Sequence, residues 1–241
     1  KSLTRSARVQ KVNFMPGFTE KTGGLVLDKP FVSALKNRTD ETGLFFNILF
    51  FGYPRNYLPV IHALQKFNNK NEKKTNLLLA KGAGFDSFLA AYESEKSAEK
   101  SLFALEELPF LSQIEWDTLL TKTPLLFIRG EDSLSRACLC GVPFVWHAYP
   151  QTEEYQLVKV NALLDRMSVH FSPEDFKTVQ KCWQLYNTTD AAPQELENAL
   201  SDFLHNYKKL RGGFKEFSAS LLKNGDLAEH LLEFIESNTL N

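Results

Sequence analysis

Pro124-Leu-Leu-Phe-Ile-Arg-Gly-Glu-Asp-Ser133 is the stretch on which the fold of this chain is read. Leu125 to Ile128 are wholly apolar; the chain then switches at once to Arg129-Gly130-Glu131-Asp132-Ser133, and from Asp132 to Cys140 the spacing is helical. A short apolar run closed by a glycine turn reads as a strand buried on both faces, as parallel strands are. The same unit recurs on either side. Leu44-Phe-Phe-Asn-Ile-Leu-Phe-Phe51 is a strand ended by Gly52, and Tyr57 to Phe67 follows with helical spacing through Leu58, Ile61, His62 and Gln65. Asn76 to Ala80 is a strand, then Gly82 and Gly84, then a helix from Phe85 to about Lys100. Leu102 to Leu108 is a third strand, Gln113 to Leu120 a helix, and Pro143 to Trp146 a fifth strand after the one at Pro124 to Ile128.

Repeated strand–helix units predict an α/β fold: a parallel sheet with right-handed crossovers and helices on both faces. Beyond Tyr155 the strand signals stop. Leu157–His170, Pro173–Tyr186, Pro193–Tyr207, Phe214–Leu222 and Leu227–Ser237 read as helices. Ser172-Pro173-Glu174-Asp175 and Ala192-Pro193-Gln194-Glu195 place proline and acids in first turns, while Gly212-Gly213 and Gly225 read as breakers. The expected organisation is a linker and inter-domain segment over 1–43, a core over 44–155, and a helical extension packing on it over 156–241.

Open α/β sheets hold ligands outside the carboxyl ends of their strands. Three loops fall there: Phe51-Gly52-Tyr53, Pro109-Phe110 and Arg129 to Ser133. In the last, a glycine turn into a helix gathers backbone amides at one spot suited to a phosphate. Arg129 adds a planar guanidinium that pairs with phosphate oxygens, and Ser133 a hydroxyl. Two readings stay open for Glu131 and Asp132. Acids at a helix start cap it and complement its dipole; alternatively a carboxylate reaches past the phosphate to sugar hydroxyls or a cationic acceptor. Tyr53, Phe110, Trp116 and Tyr149 flank the same edge, where an aromatic ring can stack on a base. With no GxGxxG or GxxxxGK[ST] motif, neither a dinucleotide nor a P-loop nucleotide is expected.

Composition excludes other classes. A net charge of -1 over 241 residues gives no footing for nucleic acid, and no apolar stretch approaches the ~18 residues that span a bilayer. Lys1 to Gln10 is polar and basic, unlike a signal peptide. Cys138, Cys140 and Cys182 make neither a disulfide framework nor a zinc set, so a reducing cytoplasm is expected. The five histidines show no metal spacing. Glu106 and Glu107, adjacent on a strand, point apart and make a poor glycosidase pair. A Gly-x-Ser-x-Gly elbow is missing.

Five blocks carry a more specific signal: Asn13-Phe-Met-Pro-Gly-Phe-Thr-Glu-Lys-Thr-Gly-Gly-Leu25, Phe51-Gly52-Tyr53, Pro109-Phe110, Arg129-Gly-Glu-Asp-Ser133 and Pro143-Phe-Val-Trp-His-Ala-Tyr-Pro-Gln151. In this order they resemble the bacterial elongation factor P maturation arginine rhamnosyltransferases. The likeness covers roughly residues 12 to 151; the helical tail matches in character only. It implies a GT-B fold, two facing Rossmann-like domains, with this chain as the C-terminal, donor-binding half. That half would hold thymidine diphosphate rhamnose (dTDP-rhamnose) with no cofactor and no obligatory metal. The acceptor would be an arginine of elongation factor P, modified with inversion at the sugar carbon.

By the same resemblance Tyr53 and Gln113 are donor contacts and Phe110 stacks on thymine. Arg129, Gly130, Glu131, Asp132 and Ser133 meet the diphosphate and sugar, Glu131 with an active-site role, and Tyr149 lies close to the nucleotide. Trp116 stands where relatives can carry phenylalanine. An Asp-Asn-Phe-Gly-Asp segment, which in the family supplies the proposed catalytic base, is not found. With Lys1 in place of an initiating methionine, the expectation is a fragment that is inactive alone. The alternatives are a non-catalytic module binding a nucleotide sugar or diphosphate, and an interaction scaffold.

Overall fold

The computed structural model describes residues 2–3, 10–11, 13–38, 43–98 and 102–239. Strands β1 (Ser2–Leu3) and β2 (Gln10–Lys11) form a small antiparallel pair. The main sheet holds β3 (Phe45–Phe50), β4 (Lys74–Leu79), β5 (Ala104–Glu107), β6 (Leu125–Arg129) and β7 (Phe144–His147). Every pairing in it is parallel, in the order β5-β4-β3-β6-β7. Ile48, Leu49 and Phe50 of the central strand and Leu125 to Ile128 beside it are all buried, so apolar runs rather than alternating patterns mark these strands. This is the Rossmann-like α/β fold expected from the repeating units.

Between the strands run α2 (Leu58–Lys70), α3 (Phe85–Ala98), α4 (Gln113–Lys122) and α5 (Glu131–Cys140). The expected helix to Lys100 is described as far as Ala98; the remainder lies outside the described residues. The chain steps from β3 outward through β4 to β5, then returns to the other side of β3 for β6 and β7. With right-handed crossovers, that reversal sends α2 and α3 to one face and α4 and α5 to the other. It also splays the loops after β3 and β6 apart, which opens a crevice at the carboxyl edge between them.

The tail comprises α6 (Tyr155–Ser168), α7 (Pro173–Asn187), α8 (Pro193–His205), α9 (Tyr207–Lys223) and α10 (Leu227–Thr239). One reading needs correction. Gly212-Gly213 breaks nothing: α9 runs straight through both. Phe171 lies flat against Gly213, where a Cβ would collide with its ring. The glycine serves close packing there, not a turn. Gly225 does separate α9 from α10, at φ 81°.

The stretch before residue 44 carries α1 (Lys29–Lys36), capped by Asp28, whose carboxylate accepts from the Phe31 amide at 3.0 Å. Phe31 is fully buried, and Arg136 of α5 pairs with Asp28 and donates to the Val26 carbonyl at 2.9 Å. Leu25 bridges to Asp226, and the Leu27 amide donates to the Asp226 carboxylate at 2.7 Å. Among the described residues, no helix is long and apolar enough to cross a membrane.

Candidate functional site

Arg129 closes β6 at the reversal of strand order. Its guanidinium lies 4.2 Å from the Phe51 ring centroid and 4.8 Å from that of Tyr53, so the loop after β3 clasps it by cation–π contact. No carboxylate pairs with it among the described residues, and its Nε is buried without a hydrogen-bond partner. Gly82, after β4, makes room: a Cβ there would stand 2.6 Å from an Arg129 Nη and 2.7 Å from the Phe51 ring. A partly buried cation without a counterion favours an anionic ligand.

The next residue starts α5. Gly130 sits at φ 76° with open space around its missing side chain, so the backbone angle and not crowding calls for glycine. No side chain caps this helix, which leaves the amides of its first turn free to meet an anion.

Arg129, Asp132, Ser133, Gln113 and Phe110 line one cavity of about 370 Å³, completed by residues that include Phe51, Lys81 and Trp116. Five of the residues expected at the site therefore meet in one space. The Phe110 ring is 87% exposed at its rim. Gln113, the first residue of α4, donates from Nε2 to the Asp117 carboxylate at 2.8 Å. Tyr53 and Tyr149 do not line this cavity; they pack edge-to-face at 5.3 Å beside it. Glu131 stands outside too, its carboxylate 3.3 Å from Lys159 on α6, both side chains half exposed or more.

Sequence reasoning missed Lys81 and Gly82, because the loop after β4 was not counted among the strand ends. Their signal was the strand–glycine junction itself, which β4 shares with β3 and β6 through Gly52 and Gly130. Lys81 pairs with Glu107 at 3.1 Å and lies over the Phe85 ring.

His147, the last residue of β7, ties the site together from below. Its Nδ1 accepts from the Tyr53 amide at 3.1 Å. Burial, with Arg55 and Arg129 nearby, pushes its pKa down to about 3, so the ring is neutral. That hydrogen bond is structural: the ring holds the loop after β3 in place. Among the described residues no group of three His, Cys, Asp or Glu could hold a metal ion.

Five parallel strands in this order, with an uncapped helix start and a cavity at the reversal, define the class: a Rossmann-like α/β domain with its ligand space at the carboxyl edge. The chain belongs to the family described as Elongation-Factor P (EF-P) rhamnosyltransferase EarP, whose family model matches residues 1–236. A protein-arginine rhamnosyltransferase of Shewanella oneidensis is 26% identical over 260 residues, covering 95% of this chain and 64% of its own length. One of Neisseria meningitidis serogroup B is 28% identical over 248 residues, with the same coverage of 95% and 64%. The chain thus spans about 64% of the length of these relatives.

Among solved structures, one from work on EarP-mediated arginine glycosylation of translation elongation factor EF-P superimposes with a TM-score of 0.70. It shares 22% identity and covers 94% of this chain and 76% of that one. A putative UDP-N-acetylglucosamine 2-epimerase from Listeria monocytogenes matches at a TM-score of 0.51 and 15% identity, over 91% of this chain and 50% of its own. At these identities the likeness establishes the fold.

Proposed function

We propose that this chain is the donor-binding half of a GT-B glycosyltransferase that transfers rhamnose from dTDP-rhamnose to an arginine of elongation factor P, with inversion. Arg129 carries the reading: a counterion-free guanidinium clasped by Phe51 and Tyr53, at the sheet's switch point, against the open start of α5. A diphosphate satisfies both the cation and the amides. The sugar would extend past Asp132 and Ser133 toward Glu131, and the base would lie toward Phe110 and Gln113. The acceptor would enter from the part of the longer relatives that this chain does not span. No bound metal is required, because Arg129 and the helix start supply the positive charge. Three buried free thiols suit a cytoplasmic setting.

Calorimetry with thymidine diphosphate is the test. Arg129→Ala is expected to weaken binding by ~1.5–3 kcal/mol, the range for hydrogen bonds to charged groups. Equal affinity in the variant would remove Arg129 from the site and the reading with it.

Phe110→Ala separates base stacking from the diphosphate. Because the ring is exposed, the melting temperature should barely move, whereas nucleotide affinity should fall by ~1–3 kcal/mol, as for loss of one base–aromatic stack. Inorganic diphosphate should bind the variant and the parent alike. A marked drop in melting temperature with nucleotide affinity intact would make Phe110 a packing residue instead.

A further inference from the structure

His147 also lines a second cavity, of about 220 Å³, which shares no lining residue with the first. The loop after β3 supplies Arg55, the end of β7 supplies His147, the end of α7 supplies Tyr186 and Thr188, and the start of α8 supplies Pro193 and Leu196. No aspartate or glutamate lines it.

Two of its polar side chains, Arg55 and His147, present donors to it. Arg55 lies over the Tyr186 ring at 4.7 Å and donates from one Nη to the Tyr186 carbonyl. That contact uses one of the five N–H groups of a guanidinium. No carboxylate pairs with Arg55 among the described residues, and its Nε has no hydrogen-bond partner. His147 adds a second donor. Its ring is neutral and its Nδ1 already accepts from Tyr53, so the single ring proton sits on Nε2. That Nε2–H, on a side chain only 5% exposed, has no protein acceptor among the described residues. The thirteen-residue α8 begins at Pro193 with no side-chain cap, so its positive end faces the same space.

We propose that this cavity is a second ligand site, built for a small oxyanion: a phosphate or carboxylate group held by Arg55 and His147 Nε2–H. Sugar hydroxyls would leave the Arg55 charge unanswered, since a neutral ligand cannot offset a half-buried cation. An oxyanion accepts from both donors at once and supplies the missing countercharge. Occupancy is felt in the first cavity through His147, because the same ring holds the Tyr53 amide and Tyr53 in turn clasps Arg129. The site stands on its own geometry, whichever nucleotide the first cavity takes.

Ring-nitrogen NMR of His147 in the full chain, titrated with inorganic phosphate and separately with acetate, tests it. The Nε2 resonance is expected to shift saturably with at least one of the two. The more potent of them identifies the group as phosphoryl or carboxyl. Arg55→Gln should weaken that response roughly 10- to 100-fold, the equivalent of one charged hydrogen bond, and Arg55→Lys should retain most of it. Arg129→Ala should leave it in place, which separates this site from the diphosphate cavity even if thymidine diphosphate never binds. An Nε2 resonance unmoved by saturating phosphate and acetate overturns the proposal, and so does an equal response in a folded Arg55→Gln chain. Should Arg55→Gln fail to fold, the titration of the unsubstituted chain decides alone.

Discussion

Glu131→Ala in the longer protein is expected to cut rhamnose transfer by about 10²–10³-fold, the cost of losing one preorganised electrostatic group, while donor affinity stays nearly unchanged. The asymmetry comes from where the side chain lies. Glu131 begins α5, so its backbone amide belongs to the anion-binding end of the helix. Its carboxylate, however, stands outside the cavity and, among the described residues, pairs only with Lys159, at 3.3 Å. Alanine keeps the amide and removes the carboxylate. An acceptor arginine remains protonated at neutral pH, and it reacts only if nearby carboxylates orient it and offset its charge. Glu131 is well placed to be one of them, because its present partner is an exposed ion pair worth ~0–1 kcal/mol and easily exchanged. A second carboxylate, acting as base, is expected from the portion that the longer relatives have in addition. The chain alone should therefore bind donor and transfer nothing. Mass spectrometry of elongation factor P, with turnover and donor affinity measured side by side, reads both claims. Parallel losses in affinity and turnover would make Glu131 a donor-binding residue. Modification by the chain alone would put the base within these 241 residues.

Trp183→Ala is expected to destabilise the chain by ~3–5 kcal/mol, as large aromatic-to-alanine changes in cores do. Trp183 on α7 is fully buried, its ring 5.0 Å from that of Phe144 and its Nε1 donating to the Phe144 carbonyl at 2.9 Å. Four residues on, Asn187 donates to the Trp146 carbonyl at 2.8 Å and accepts from the Ala148 amide at 2.8 Å. Together these bolt the helical tail to β7, the strand whose last residue carries His147. Sheet and tail should consequently unfold in one transition, and urea melts followed by tryptophan fluorescence and by circular dichroism should coincide. A tail that melts first, leaving the sheet folded, would show that the extension is a separate unit.

How much of this was legible beforehand depends on the range of the forces involved. The strand-and-helix alternation from Phe45 to His147 is local: apolar runs, glycine ends and the 3.6-residue period are written in neighbouring residues. Phe110, Arg129, Asp132 and Ser133, which meet in the cavity, were legible for the same reason, since each lies at or just past a strand end and parallel strands bring their ends to one edge, whereas Gln113 came from the family resemblance alone. Gly212-Gly213 misled because propensity favours a break, while the contact that overrides it comes from Phe171, some forty residues away in the chain. The helix over Lys29–Lys36 escaped notice for a similar reason. It is held by Asp28 and Phe31 against Arg136, a partner about a hundred residues on.

The sequence by itself determined the order of the elements, the parallel sheet and the edge at which a ligand would sit, because those follow from local periodicity and from chain chirality. Only the tertiary structure decided which side chains share a space. It drew Lys81 and Gly82 into the cavity, left Glu131 and Tyr149 outside it, and set Arg129 between two rings. It also opened a second cavity around Arg55 and His147. Those outcomes depend on packing between loops distant in sequence, where a few ångströms separate a ligand contact from a neighbour, and nothing local to any one segment encodes that distance.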